Sequence, residues 1–383
     1  MVRGIIEGKG ATRVTRKSAP NAAQSTPSPG PAPAVQRLQV DEASEGQRLD
    51  NFLIGLWKGV PKTHVYRVIR SGEVRVNKGR AAADTRLALG DELRLPPVRS
   101  SAAPGARPPA PPREFPLVWE DEALLAVDKP AGVAVHGGSG VSFGVIEQLR
   151  RARPKAKFLE LVHRLDKETS GLLLIAKKRS ALLALQEQFR QRETGKSYAA
   201  FVAGAWPASR KVVDLALHKT LDAAGERHVR VVAADHADGR RSISLVAIAA
   251  AWPGFTLLDV TIKTGRTHQI RVHLAHEGHP IVGDPKYGDF ELNRALARGE
   301  ALPGQRFERM FLHARRLRFE HPTSGEVIDL EAALPSEFER MVAALNRRQL
   351  HRTPLKETPG RPKFPCSPSG GRTPQGGGLG GAQ

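Results

Sequence analysis

The chain has 383 residues, with 59 Lys and Arg against 39 Asp and Glu, a net charge of +20 and a pI near 10.6. Such an excess points to a polyanionic partner, nucleic acid first, and away from an acidic protein. One cysteine, Cys366, excludes an intramolecular disulfide and a cysteine metal site, and no apolar run approaches the roughly 18 residues of a membrane span, so a cytoplasmic protein without membrane contact is expected.

In chain order, residues 1–44 read as a disordered basic arm, interrupted by Gly, Pro and Ser and lacking the apolar core of a secretion signal. Residues 351–383 read as a disordered Gly/Pro-rich tail. Residues 1–40 carry six basic and one acidic residue and the tail five and one, which is nine of the twenty positive charges. The middle keeps +11, and there the charge reads as a binding surface.

Residues 45–98 form a first module. Leu49, Phe52, Leu53, Leu56 and Trp57 fall at the spacing of one buried helical face. Pro61 opens a second helix, with Val65, Val68 and Ile69 inward and Lys62, Arg67 and Arg70 left to solvent. Short strands in EVRVN and DELRLP follow, joined by a basic turn at Lys78 to Arg80. RLDNFL, IRSGEVRVNKGR and GDELRLP together resemble an S4 RNA-binding domain. The resemblance implies that Lys62, Arg67, Arg70, Lys78 and Arg80 contact RNA.

A Pro/Ala-rich linker at 99–113 leads to a larger domain at 114–350. Strands are expected at Leu124–Asp128, Gly171–Ala176, Tyr198–Val202, Ser242–Ile248 and Phe255–Ile262, and helices at Val141–Arg153, Arg179–Arg190, His268–His276 and Ser336–Asn346. Without a βαβ alternation this is an α+β domain on a mixed, mainly antiparallel sheet.

The stretch LVHRLDKETSGLLLIAKK places Asp166 in a loop held by a buried strand, a rigid support for a reacting group. Glycoside hydrolysis needs two carboxyls about 5 to 10 Å apart across one bond, which Asp166 and Glu168 reach only in special geometry. A metal-dependent nuclease needs convergent carboxylates or histidines, and no such acidic cluster is present. His268, His273, His276 and His279 crowd one segment without a zinc spacing, and read as RNA contacts, caps or packed side chains. VHGGSGVSFG precedes a helix and offers a weak phosphate signal, lacking a P-loop lysine. In KTGRTHQIRVHLAHEGHPIVGDPKYG, Arg266 and Arg271 lie at the start and on the first turns of an expected helix, and either could bind phosphate.

Five ordered segments, LLAVDKPAGVAVHGGSG, HRLDKETSGLLLIAKK, GKSYAAFVAG, TGRTHQIRVHLAHEGHPIVGDPKYG and FLHARRLRFEHP, are similar to the successive motifs of the RluA-type pseudouridine synthases. That resemblance spans about residues 47 to 347. It implies a cofactor-free and metal-free isomerisation of specific uridines, with 23S ribosomal RNA or an assembling large subunit as partner. It makes Asp166 the catalytic aspartate, acting either as nucleophile at ribose C1′ or as base. Arg271 is implied to pair with that carboxylate, Tyr198 to stack on the flipped base, Leu312 to pack there, and Arg164 to fill the gap left by extrusion. Extrusion is physically required, because C1′ and C5 cannot exchange while the base is stacked. Rival readings are another ribosomal or transfer RNA site, or a non-enzymatic RNA-binding assembly protein; a monomer is the simplest state.

Overall fold

The computed structural model describes residues 35–57, 59–98, 109–138, 141–221 and 227–352. The expected arm before residue 35, most of the linker and the tail after 352 lie outside the described residues. The chain divides into two compact units, Met1–Ala106 and Arg107–Gln383.

The first unit holds β1 (Gln36–Gln39), α1 (Leu49–Leu56), α2 (Lys62–Arg70), β2 (Arg75–Val76), β3 (Gly79–Arg80) and β4 (Glu92–Leu95), with sheet order β1-β4-β2-β3. Strand β1 is a correction: it falls in the stretch expected to be disordered, because its backbone pairs antiparallel with β4 from Gln36↔Leu95 to Gln39↔Glu92. The expected turn at Lys78 is itself a hairpin, Arg75↔Arg80 and Val76↔Gly79, turning through Asn77 and Lys78 at positive φ. Leu49 and Leu53 are buried with Val65, Val68 and Ile69, whereas Leu56 is exposed because the helix ends there. The RLD sequence has a local cause. Asp50 is buried, binds Arg48 at 2.8 Å, and accepts the Tyr66 hydroxyl at 3.3 Å, tying α1 to α2.

The second unit holds β5 (Leu117–Glu120), β6 (Leu124–Lys129), α3 (Val145–Ala152), β7 (Glu160–Leu161), β8 (Ser170–Ala176), α4 (Arg179–Gln191), β9 (Gly195–Ala203), β10 (Val212–Leu221), β11 (Arg227–Val232), β12 (Arg240–Trp252), β13 (Phe255–Ile262), α5 (Gln269–His276), α6 (Phe290–Arg298), β14 (Leu312–Glu320), β15 (Val327–Glu331) and α7 (Ser336–Arg352). The sheet runs β11-β10-β12-β13-β9-β14-β8-β6-β5, with β15 on β14 and β7 on β8. The fold is α+β as expected, and among the described residues every strand pairing in this sheet is antiparallel except one. The exception joins two antiparallel ladders. There β14 meets β8 in parallel through His313↔Ser170 and Ala314↔Gly171 alone.

Gly171 makes that junction possible. Its φ is +109°, and a Cβ would lie 2.3 Å from the Ala314 carbonyl oxygen. Strand β8 is buried along its whole length, so it reads as a continuous apolar run instead of an alternating one. Leu172 and Leu174 face one core with α4, while Leu173 and Ile175 face another with α3.

Candidate active site

Asp166 sits in the loop between β7 and β8, beside the junction of the two ladders. Lys129, at the end of β6, fixes this loop from below. Its fully buried ammonium donates to the carbonyls of Pro130 (2.9 Å), Val133 (2.8 Å) and Lys167 (3.1 Å). Burial pushes the ammonium down to about 7, with the charges of Glu168 and Asp166 working in the opposite direction.

From the other ladder, α5 presents Arg271. Its Nη1 meets Asp166 Oδ2 at 3.1 Å, while Nε and Nη2 grip both oxygens of Asp284 at 2.7 and 2.8 Å. Asp284 is fully buried and also accepts the backbone N–H groups of Lys286 and Tyr287 at 2.8 and 3.0 Å. Burial alone would raise the Asp284 carboxyl, but the Arg271 bonds and charge outweigh it and hold it below the usual range. Burial likewise disfavours the Arg271 cation, and the two carboxylates overcome that, Asp284 first. A guanidinium held on both edges is a rigid fork, which fixes the Asp166 carboxylate from one side.

A cleft of about 600 Å³ contains Asp166, Tyr198, Arg271, Arg164 and Leu312 in its lining, so five residues singled out in the sequence come together. Tyr198 packs against the cluster that includes the buried Leu312. Burial, then the Asp166 charge, raises its phenol above the ordinary range. Arg164 is exposed. The same cleft is rimmed by Arg190, Arg192, Lys196, Lys263 and Arg266, a cationic set that the sequence did not single out apart from Arg266.

Several other expectations resolve locally. His268, His273 and His279 hold hydrogen bonds to Tyr287, Ser244 and the Ala203 carbonyl, and His276 is exposed, so the four do not converge. Among the described residues the one group of metal-ligand type is elsewhere, at His218, His236 and Asp238. The glycine-rich N-terminus of α3 is already occupied by an anion. Glu147 accepts the N–H groups of Gly144 at 2.8 Å and Gly137 at 3.1 Å, where a phosphate would bind. Arg266 precedes α5 instead of starting it; its N–H goes to Gln269 Oε1 at 3.1 Å. In the first unit, Arg70 and Arg80 line one cleft of about 510 Å³ beside Tyr66, while Lys62, Arg67 and Lys78 are exposed outside its lining.

A family model described as RNA pseudouridylate synthase matches residues 123–276. Ribosomal large subunit pseudouridine synthase C of Yersinia pestis is 45% identical over 320 residues, 82% of this chain and 97% of that protein. The protein of the same name from Pasteurella multocida is 46% identical over 323 residues, 82% of this chain and 95% of that one. The chain belongs to the RluA-type pseudouridine synthases. Among solved structures, human RNA pseudouridylate synthase domain containing 4 aligns with a TM-score of 0.49 at 25% identity, covering 60% of this chain and 93% of that one.

Three residues of this synthase's candidate site have no sequence signal of their own. Asp284, in GDPKYG, looks like a turn residue until Arg271 is seen against it. Gln269 looks like a helix-surface residue, yet it is buried and accepts from Thr264 and Arg266 while donating to Ile243 and Ser244, which holds the entry to α5. Lys129 is the third, visible in the sequence only as part of a motif. Lys129→Met is expected to lower stability by about 1–3 kcal/mol, the cost of leaving buried acceptors unmet. Thermal melts measure that, and activity should fall further than the melt explains, because the Lys167 carbonyl adjoins Asp166.

Among the described residues no helix is long and apolar enough to cross a membrane.

Proposed function

We propose that the enzyme isomerises specific uridines of 23S ribosomal RNA to pseudouridine, with Asp166 as the carboxylate that acts on a flipped-out nucleotide. The observation that carries this reading is the Asp166 carboxylate, held by Arg271, itself anchored on Asp284, in a cleft also lined by Tyr198 and Leu312. Cleaving the bond between C1′ and N1 and rejoining C1′ to C5 is a net isomerisation, so one carboxylate that acts and is regenerated suffices, whether as nucleophile or as base. Tyr198 offers a ring face for the extruded base, Leu312 an apolar wall, and exposed Arg164 a side chain long enough to occupy the vacated stack. All of these groups come from one chain, so a monomer is a sufficient assembly.

The ribosomal substrate rests on the names of the relatives from Yersinia and Pasteurella. RNA binding rests on charge: the rim of the cleft carries Arg190, Arg192, Lys196, Lys263 and Arg266, and the S4-like module at 45–98 adds Lys62, Arg67, Arg70, Lys78 and Arg80. Phosphate contacts of this kind release counterions, so affinity falls steeply with salt. Replacing Arg70 and Arg80 together by Ala is expected to weaken binding across all RNA sequences and to flatten the slope of log affinity against log salt by about 1 to 2. Fluorescence anisotropy with labelled RNA between low and physiological salt checks it.

The test of the function is tritium release from C5-labelled uridine in unmodified 23S and transfer RNA transcripts. Release from the 23S transcript alone supports the reading. Release from transfer RNA alone moves the substrate, and release from neither leaves an RNA-binding protein.

A further inference from the structure

His268 is unusual in three respects. It has φ +52°, in the left-handed region where a non-glycine residue is strained. Its side chain is 16% exposed, lining the cleft, with Nε2 3.9 Å from Asp166 Oδ2. Its Nδ1 lies 2.9 Å from the hydroxyl of Tyr287.

The hydrogen bonds around Tyr287 set a direction. The backbone N–H of Val229, on edge strand β11, donates to Tyr287 Oη at 3.2 Å. With that lone pair taken, the phenol's own proton has His268 Nδ1 as its acceptor among the described residues. A neutral imidazole that accepts at Nδ1 must carry its proton on Nε2. Nε2–H therefore faces Asp166. The Tyr287 ring also lies 5.1 Å over the Arg271 guanidinium, so phenol, imidazole and guanidinium form one assembly around the carboxylate.

Arg271 bonds Oδ2 of Asp166, and His268 faces the same oxygen. Oδ1 has no hydrogen-bond partner among the described residues. We propose that His268, locked by Tyr287 with its proton on Nε2, is a positioning residue that holds Asp166 Oδ2 and leaves Oδ1 as the oxygen presented to the ribose. This rests on the reading of Asp166 as the reacting carboxylate. At 3.9 Å the contact closes by a small ring rotation or through one bridging water.

The charged groups facing His268 are Asp166 and Asp284, which favour its protonation, and Arg271 and Lys286, which oppose it; burial is the largest influence and lowers its pKa below the ordinary 6.5. The neutral ring is thus the working form at neutral pH. Protonation adds a second donor at Nδ1 opposite the phenol O–H and breaks the lock, so activity falls as pH falls through this group. Tyr287→Phe keeps the ring over Arg271 but deletes the O–H that favours the neutral imidazole. The ring then protonates more readily, and the acidic limb moves to higher pH.

The experiment is single-turnover tritium release against pH for the full chain and for His268→Ala, His268→Gln, Tyr287→Phe and Asp166→Asn, with RNA dissociation constants measured in parallel. His268→Ala is expected to lose about 10- to 100-fold in rate at unchanged RNA affinity. His268→Gln, which keeps an N–H near the Nε2 position and does not titrate, should recover much of that loss with a flattened acidic limb. Wild-type rate in His268→Ala, a glutamine variant no better than alanine, or an unmoved acidic limb in Tyr287→Phe would each overturn the proposal. Failure of the underlying reading looks different: Asp166→Asn would then turn over like wild type.

Discussion

Asp166→Asn is expected to remove isomerisation by more than about a thousandfold while leaving the fold intact, the size of effect seen when a single reacting group is deleted from an active site. The amide has nearly the shape of the carboxylate but neither its charge nor its nucleophilicity. Stability should change by less than about 1 kcal/mol, because Asp166 is partly exposed and Arg271 retains its two bonds to Asp284. RNA affinity should also survive, since the cationic rim and the first unit are untouched. Tritium release, a thermal melt and an anisotropy titration on one preparation separate these quantities. Substantial residual turnover with normal binding would remove Asp166 from the role proposed for it.

Asp284→Ala should act in the opposite way, by collapsing the support instead of the chemistry. Arg271 is 5% exposed and Asp284 fully buried. Removing one partner of a buried pair strands the other, at a cost of about 3–5 kcal/mol. The same substitution releases the N–H groups of Lys286 and Tyr287, and so loosens the turn that carries Tyr287 to His268. Activity and melting temperature should therefore fall together, the melt measured by urea or heat and the rate by tritium release. A stable, inactive Asp284→Ala protein would show that Asp284 serves the reaction more directly than a buried anchor does.

Much of the site was legible because its residues sit in contiguous segments with distinctive composition. HRLDKETSGLLLIAKK announces a loop and a buried strand, and both are present around Asp166. Asp284 was not legible, since its function arises from a buried partner thirteen residues earlier and its local sequence is that of an ordinary turn. Strand β1 escaped for a related reason: QRLQ has a single apolar residue, and only pairing with β4 makes it a strand. Helix α6 was missed because Leu296 alone among its nine residues is fully buried, although Asp289 caps it through the N–H groups of Glu291 and Leu292. Strands β10 and β11 were missed as well; β11 is the outermost strand of the sheet, where little burial imprints a pattern. Leu56 departs in the other direction: its spacing places it on the buried face, yet as the last residue of α1 it is exposed.

The seam where β14 meets β8 has a consequence for biosynthesis. Asp166 belongs to the ladder made of β5, β6, β7 and β8, and Arg271 and Tyr198 belong to the ladder that ends on β14. During translation the first ladder emerges complete well before residue 312, yet the strand that joins it to the second emerges only at Leu312–Glu320. A nascent chain shorter than that has its aspartate but no fixed partner for it. A chain that stops short of β14 is therefore expected to leave RNA unmodified: a C-terminal truncation that removes β14 should abolish tritium release even though Asp166, Tyr198 and Arg271 all remain.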